Sequence, residues 1–174
     1  MGILAGRNLT WAAALLTAAA DQIGKALIVR SIPPGRGVSV IPGLFDLTLV
    51  TNPGGIFGIL RDVGGSLRSI IFSAVPAIAI LAMLWYGWVL PPDRRWSRAA
   101  LGLILGGAAG NLIDRIRLGH VVDFLDVYVG THHWPAFNVA DSCICVGVAM
   151  LLIEGFFFHR VPDGTAPAAP PPSP

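Results

Sequence analysis

The chain has 174 residues, 54% of them hydrophobic and 13% charged, and its mean hydropathy is +0.69. Soluble domains carry about 25% charged residues, so this composition excludes an ordinary water-soluble globule and places the chain in a bilayer, with membrane lipids around it. A net charge of +2, with basic residues dispersed along the chain instead of striped on one face, argues against a nucleic-acid partner.

Crossing a hydrocarbon core roughly 30 Å thick takes about 20 apolar residues in a helix. Four runs qualify, at 9–29, 70–90, 99–118 and 139–158, and with their flanks they predict helices over about 9–29, 68–90, 98–118 and 138–159. The first is interrupted by Asp21, Gln22 and Lys25. Arg7 followed by apolar residues ending in Ala18-Ala19-Ala20 also fits a cleavable secretory signal. Hydrophobicity resumes at Ile23 and continues to Val29, which favours an uncleaved span. Asp21 and Lys25 stand one turn apart with the acid on the N-terminal side, the better orientation for a helical ion pair. They read either as a self-neutralising pair or as support for a site.

Residues 31–66 are rich in Gly and Pro and hold the partly β-branched run Phe45 to Val50, which predicts strand and turn structure at the interface. Thr51 to Gly58 follows, where Asn52-Pro53 and Gly54-Gly55 mark turns and allow the backbone to approach a ligand closely. Read alone, this segment is an ordinary loop. The second apolar run contains no charged residue, and Pro76 within it is tolerated in a membrane helix.

The third run turns polar at Asn111, Asp114, Arg115 and Arg117, so its last turns should face protein or the water interface. Asp114 and Arg115 are adjacent and point about 100° apart on a helix, so each is expected to pair with something else. Gly119 is placed to end this helix in a left-handed cap. Residues 119–137 then form a loop on the same side as 31–66, with Asp123 in the extended stretch His120 to Phe124 and Asp126 read as a solvated loop acid. The fourth helix opens at Asn138, its N-cap, with Asp141 at the third helical position, where an acid favours the positive end of the dipole.

Capping accounts for Asp141 but not for Asp123. If the third and fourth helices pack antiparallel, the two carboxylates converge at one depth just inside the interface. Such a pair cannot readily ionise twice and keeps a shared proton over a wide pH range. The ionised member can take a proton from water while the protonated member polarises a scissile carbonyl, which is the chemistry of aspartic peptide hydrolysis.

The blocks Asp21-Gln22 with Lys25, Asn52 with Gly54 and Phe57, Gly110-Asn111 with Asp114-Arg115, Val121 to Phe124, and Phe137-Asn138 with Ala140-Asp141 follow the order of a known family. Over nearly its whole length the chain resembles the lipoprotein signal peptidases, also called signal peptidase II. The resemblance implies an all-α integral membrane protein: four transmembrane helices with a small periplasmic β-sheet cradle, forming one peptidase domain over 1–161. It implies a bacterial inner-membrane aspartic endopeptidase that removes signal peptides from diacylglyceryl-modified prolipoproteins, cutting before the lipid-bearing cysteine. The catalytic pair falls on Asp123 and Asp141, and supporting or substrate-binding roles fall on Asp21, Lys25, Asn52, Gly54, Asn111, Asp114, Arg115 and Asn138. No cofactor or metal is implied, and the enzyme is expected to act as a monomer. The chain departs from the usual pattern at Pro53, Gly55 and Ile56, so local substrate fit is less closely specified than the chemistry.

An even number of spans puts both termini on one side. Arg94, Arg95 and Arg98 crowd one tight loop on that side, which favours a cytoplasmic assignment for it, but Arg30, Arg36, Arg61, Arg68, Arg115 and Arg117 on the other side keep the charge count close; the resemblance, which implies a catalytic pair near the outer face, supports the same orientation. Gly54, Gly55 and the Gly106-Gly107 region suit close approach of a small-residue substrate segment. Cys143 and Cys145 point in different directions on the fourth helix, and no His and Cys arrangement has metal-ligand spacing. The Pro/Ala-rich tail 162–174 cannot build a core and is expected to be disordered. A small ion-coupled transporter or proton conductor is the rival reading, since intramembrane Asp, Lys and Arg also mark ion pathways. No inverted repeat supports it. A scaffold whose polar residues only hold helices together is a third.

Overall fold

The computed structural model describes residues 2–54 and 65–158. Gly55 and the Pro/Ala-rich tail lie outside the described residues. Four helices carry the apolar runs: α1 (Gly2–Ser31), α2 (Gly65–Val89), α3 (Arg95–Leu118) and α4 (Val139–Phe158). Each holds a stretch long and apolar enough to cross a membrane. α1 begins well before its apolar run opens, because Gly6 packs directly onto the carbonyl of Pro92 in the α2–α3 loop.

α3 is the hub, touching α1, α2 and α4, while among the described residues the backbone of α2 packs on α3 alone of the helices. Its seam with α1 is a row of glycines one turn apart. A Cβ on Gly102 would lie 2.6 Å from Cβ of Ala13, one on Gly106 2.4 Å from the Ala14 carbonyl oxygen, and one on Gly110 2.5 Å from a carboxylate oxygen of Asp21. In lipid, where apolar burial gives little drive for helix association, small residues let backbones approach and supply the packing. Gly107 does the same toward α4, where a Cβ would meet the Ala140 carbonyl oxygen at 2.5 Å. The expectation that Gly106 and Gly107 admit substrate is therefore corrected: helix backbones already occupy the space they leave.

A four-stranded antiparallel sheet covers one end of the bundle, in the order β1 (Gly37–Ile41), β2 (Phe45–Asn52), β3 (Val121–Val129) and β4 (His132–His133). Pro42-Gly43 turns β1 into β2 with Gly43 at φ 82 and the Leu44 N–H bonded to the Ile41 carbonyl at 3.0 Å, the signature of a type II turn. The expected cradle within 31–66 supplies only half of this sheet. The rest comes from 119–137, read from sequence as a loop, because β-branched Val121 and Val122 pair with Asn52 and Thr51. Asp126 is accordingly a strand residue, hydrogen-bonded to His133 at 2.9 Å, and not a solvated loop acid. Beneath the sheet, Phe124 packs with Ile28 of α1 and with Ile32 just past its end.

The opposite end carries the exposed tryptophans Trp11, Trp85, Trp88 and Trp96, the residue type favoured where a bilayer meets water. There the buried Arg98 donates to the carbonyls of Gly87, Leu90 and Pro91, satisfying groups that the end of α2 leaves open.

Candidate active site

The polar residues of α1, α3 and α4 meet under the sheet, and the local backbone explains how. Asn138 caps α4 as expected: its Oδ1 accepts from the Asp141 N–H at 2.9 Å, and an Asp141 carboxylate oxygen accepts from the Asn138 N–H at 3.3 Å, a reciprocal capping box. The residue before it, Phe137, exchanges backbone bonds with Leu125 of β3 at 2.8 and 3.1 Å. That bridge ties the start of α4 to the strand that carries Asp123. On β2, Asn52 lies opposite Val121 and Val50 opposite Asp123, so Asn52 and Asp123 are diagonal neighbours on one face.

Asp123 and Asp141 are both held through Asn138. Its Nδ2 donates to Oδ1 of Asp123 at 2.7 Å, while Nδ2 of Asn52 donates to Oδ2 of Asp123 at 3.1 Å. Nδ2 of Asn111 donates to Oδ1 of Asp141 at 2.8 Å. Each oxygen of each carboxylate thus receives a hydrogen bond from a neutral amide. Asp123 is 2% exposed, and this burial, which disfavours the charged form, pushes its carboxyl up to about 6; the bond from Asn52 opposes the rise and the nearby Asp141 charge adds to it.

A second pair of acids is treated differently. The Lys25 ammonium contacts Asp21 at 2.7 Å and Asp114 at 2.8 Å, and donates to Oδ1 of Asn111 at 2.9 Å, which uses all three of its N–H groups. Because Oδ1 of Asn111 faces an ammonium, its Nδ2 must face Asp141. The amide orientation that holds Asp141 is therefore set by Lys25. Asp21, fully buried, also accepts from the Ala140 N–H at 3.0 Å, and Asp114 accepts from the Val122 N–H at 3.1 Å. These two acids pin the start of α4 and the start of β3, the two segments that present Asp141 and Asp123.

The remaining sequence candidates fall around this network. The Gly54 N–H donates to Oδ1 of Asn52 at 3.0 Å, which turns the Asn52 Nδ2 toward Asp123. Gly54 has φ 92, and a Cβ there would lie 2.6 Å from the Phe72 ring, so the glycine serves the turn and its packing on α2. Arg115 donates to the Asn111 carbonyl at 3.3 Å, and its charge acts on Asp141 and Asp123. Gln22 was not among the candidates, yet its Nε2 donates to Asp114 at 2.9 Å and to the Gly110 carbonyl at 3.2 Å. The available signal was an amide inside a membrane run, one turn from the sole lysine.

Comparison with known proteins identifies the family. Residues 13–157 match the family described as signal peptidase (SPase) II. The chain is 49% identical over 140 residues to a lipoprotein signal peptidase of Syntrophotalea carbinolica, covering 80% of this chain and 86% of the relative. A lipoprotein signal peptidase of Aeromonas hydrophila is 45% identical over 155 residues, covering 87% and 90%. Among solved structures, a bacterial membrane enzyme determined by the in meso method at 1.9 Å superposes with a TM-score of 0.76 at 26% identity, covering 87% of this chain and 94% of that one. A family match over most of the length, relatives well above a third identical, and a common fold lead to one conclusion: the chain belongs to the signal peptidase II family of membrane proteases.

Proposed function

We propose that this chain is an aspartic endopeptidase that removes signal peptides from diacylglyceryl-modified prolipoproteins before the lipid-bearing cysteine, with Asp123 and Asp141 as the catalytic residues. The observation that carries the proposal is the contrast between the two acid pairs. Asp21 and Asp114 share an ammonium and are committed to charge balance. Asp123 and Asp141 are held by amides alone, which fixes their direction without fixing their charge. Only the second pair is free to share and exchange a proton.

In the reaction, the ionised carboxylate takes a proton from water as its oxygen attacks the scissile carbonyl. The protonated carboxyl gives its proton to the carbonyl oxygen, forming a tetrahedral diol. Collapse of the diol breaks the C–N bond: the amine leaves with the proton of the dyad, and a diol hydroxyl gives its proton to the dyad as the new carboxyl forms, which restores the shared proton. Asn52, Asn111 and Asn138 keep both carboxylates aimed throughout, and Arg115 lends positive charge nearby. The substrate's acyl chains, worth about 0.8 kcal/mol per buried CH₂, already lie in lipid, so they confine the precursor to the membrane plane instead of drawing it from water. In this reading the sheet and dyad face the periplasm, the Arg94-Arg95-Arg98 end and both termini face the cytoplasm, and the enzyme works as a monomer. Family membership favours the peptidase over the ion-coupled transporter.

The test is cleavage of a lipid-modified precursor by purified protein in liposomes. Wild type is expected to cut, while Asp123→Asn and Asp141→Asn each lower kcat by at least about a thousandfold, as for members of one catalytic unit, with unchanged thermal unfolding. Full activity in either variant would sink the dyad.

A further inference from the structure

At the end of the bundle opposite the dyad, α1 and α2 both rest on α3 and, among the described residues, their backbones stay apart, so that only side chains such as Arg7 and Trp88 reach across the groove between them. The groove closes into a cavity of about 150 Å³ lined by Arg7, Thr10, Trp88, Arg98, Leu101 and Leu105, with other apolar residues completing the wall. Two guanidinium groups face it, and no carboxylate lines it among the described residues. Arg7 lies over the Trp88 ring at 5.0 Å. Arg98 spends three donors on backbone carbonyls and keeps two more N–H groups available. The Thr10 hydroxyl is buried and has no hydrogen-bond partner among the described residues.

A buried hydroxyl without a partner beside two cations is an unfinished hydrogen-bond set, and it calls for an acceptor that carries negative charge. The level at which it sits, among the exposed tryptophans of that end, is the head-group region. Basic pockets between transmembrane helices take anionic head groups for this reason. Apolar Leu15 on α1 and Leu81 on α2, both strongly exposed, continue the surface toward the bilayer centre. The basic n-region of a signal peptide, by contrast, would be repelled by Arg7 and Arg98.

We propose that the cavity between α1, α2 and α3 is a binding site for the phosphate of an anionic phospholipid, held by Arg7, Arg98 and the Thr10 hydroxyl with its acyl chains along the α1–α2 groove. The site is separate from the dyad and fills the gap between the α1 and α2 backbones, which Arg7 and Trp88 partly bridge.

Native mass spectrometry of the detergent-purified protein tests this, with phosphatidylglycerol, phosphatidylcholine and inorganic phosphate as probes. Wild type is expected to retain phosphatidylglycerol at least about fivefold over phosphatidylcholine, the scale of one basic contact. Arg7→Gln removes the preference, Arg7→Lys keeps it, and Thr10→Val weakens it. Arg7 is half-buried near the start of α1, so these variants keep the fold that an Arg98 change could disturb. Equal retention of the two lipids overturns the proposal, as does an unchanged preference in Arg7→Gln. Displacement of phosphatidylglycerol by millimolar inorganic phosphate would assign the cavity to a free anion and overturn the lipid.

Discussion

α3 and α2 make opposite use of the membrane. Over their spanning windows, 56% of α3 is buried inside the protein and none of α2, although α2 is the more apolar of the two. In water the more apolar helix would go inside. In lipid the order inverts, because acyl chains solvate Leu and Ile as well as a protein core does, whereas Asn111, Asp114 and Arg98 must find protein partners. The polar helix therefore becomes the hub, held close by glycines, and the oily one becomes a flank. Polarity and burial go together here, and both concentrate the chemistry on the α1–α3–α4 side.

The comparison can be broken hardest at Lys25. Lys25→Met leaves Asp21 and Asp114 buried without their cation, which should cost about 3–5 kcal/mol and abolish processing; the readout is the unfolding midpoint in detergent. A midpoint equal to wild type would mean that the α1–α3 seam does not depend on this charge balance. Gly106→Val comes next, since its Cβ would collide with the Ala14 carbonyl, and overpacking of this kind costs about 1–3 kcal/mol. Both helices should separate, so activity falls with stability.

Asn52→Ala is expected to leave the fold intact and to move the pH dependence. Burial has already raised the Asp123 carboxyl to about 6, and the Asn52 hydrogen bond favours its charged form. Removing that bond raises it further, so the dyad keeps its proton to higher pH and the alkaline limb of kcat/KM moves upward. A limb that stays in place or moves down contradicts the assignment of that limb to Asp123. The smallest effect belongs to α2: Leu81→Ala, on a side chain 65% exposed, should change stability by no more than about 0.5 kcal/mol. A large loss there would place α2 inside an assembly instead of at its lipid edge.

Much of the candidate site could be read from residue types, since an acid, an amide or a lysine inside an apolar run has few reasons to be there. Asp123 stood out because capping could not account for it, and Asn138 with Asp141 because a helix N-terminus has a known grammar. Gln22 is harder to place from sequence, because besides its neighbour Asp21 it donates to Asp114 and to the Gly110 carbonyl, both on α3 and about ninety residues away. The second half of the sheet is hidden in the sequence because β3 has no alternating pattern: Val121, Val122, Asp123 and Phe124 are all buried, so period-two patterning is lost. At Gly106 and Gly107 a small residue suits substrate approach and helix packing alike, and spacing alone does not show that helix backbones claim both.

Composition and local pattern determined the medium, the four spans, the αL end of α3 at Gly119 and the cap that opens α4, because each depends on a single segment meeting lipid or water. Tertiary structure alone decided which acids share a cation and which are held by amides, that Lys25 orients Asn111 and through it Asp141, and that β3 is bonded to the residue before α4. Those relations join residues from helices and strands far apart in the chain, and hydrogen-bond partners at that separation are chosen by packing, which no local stretch of sequence contains.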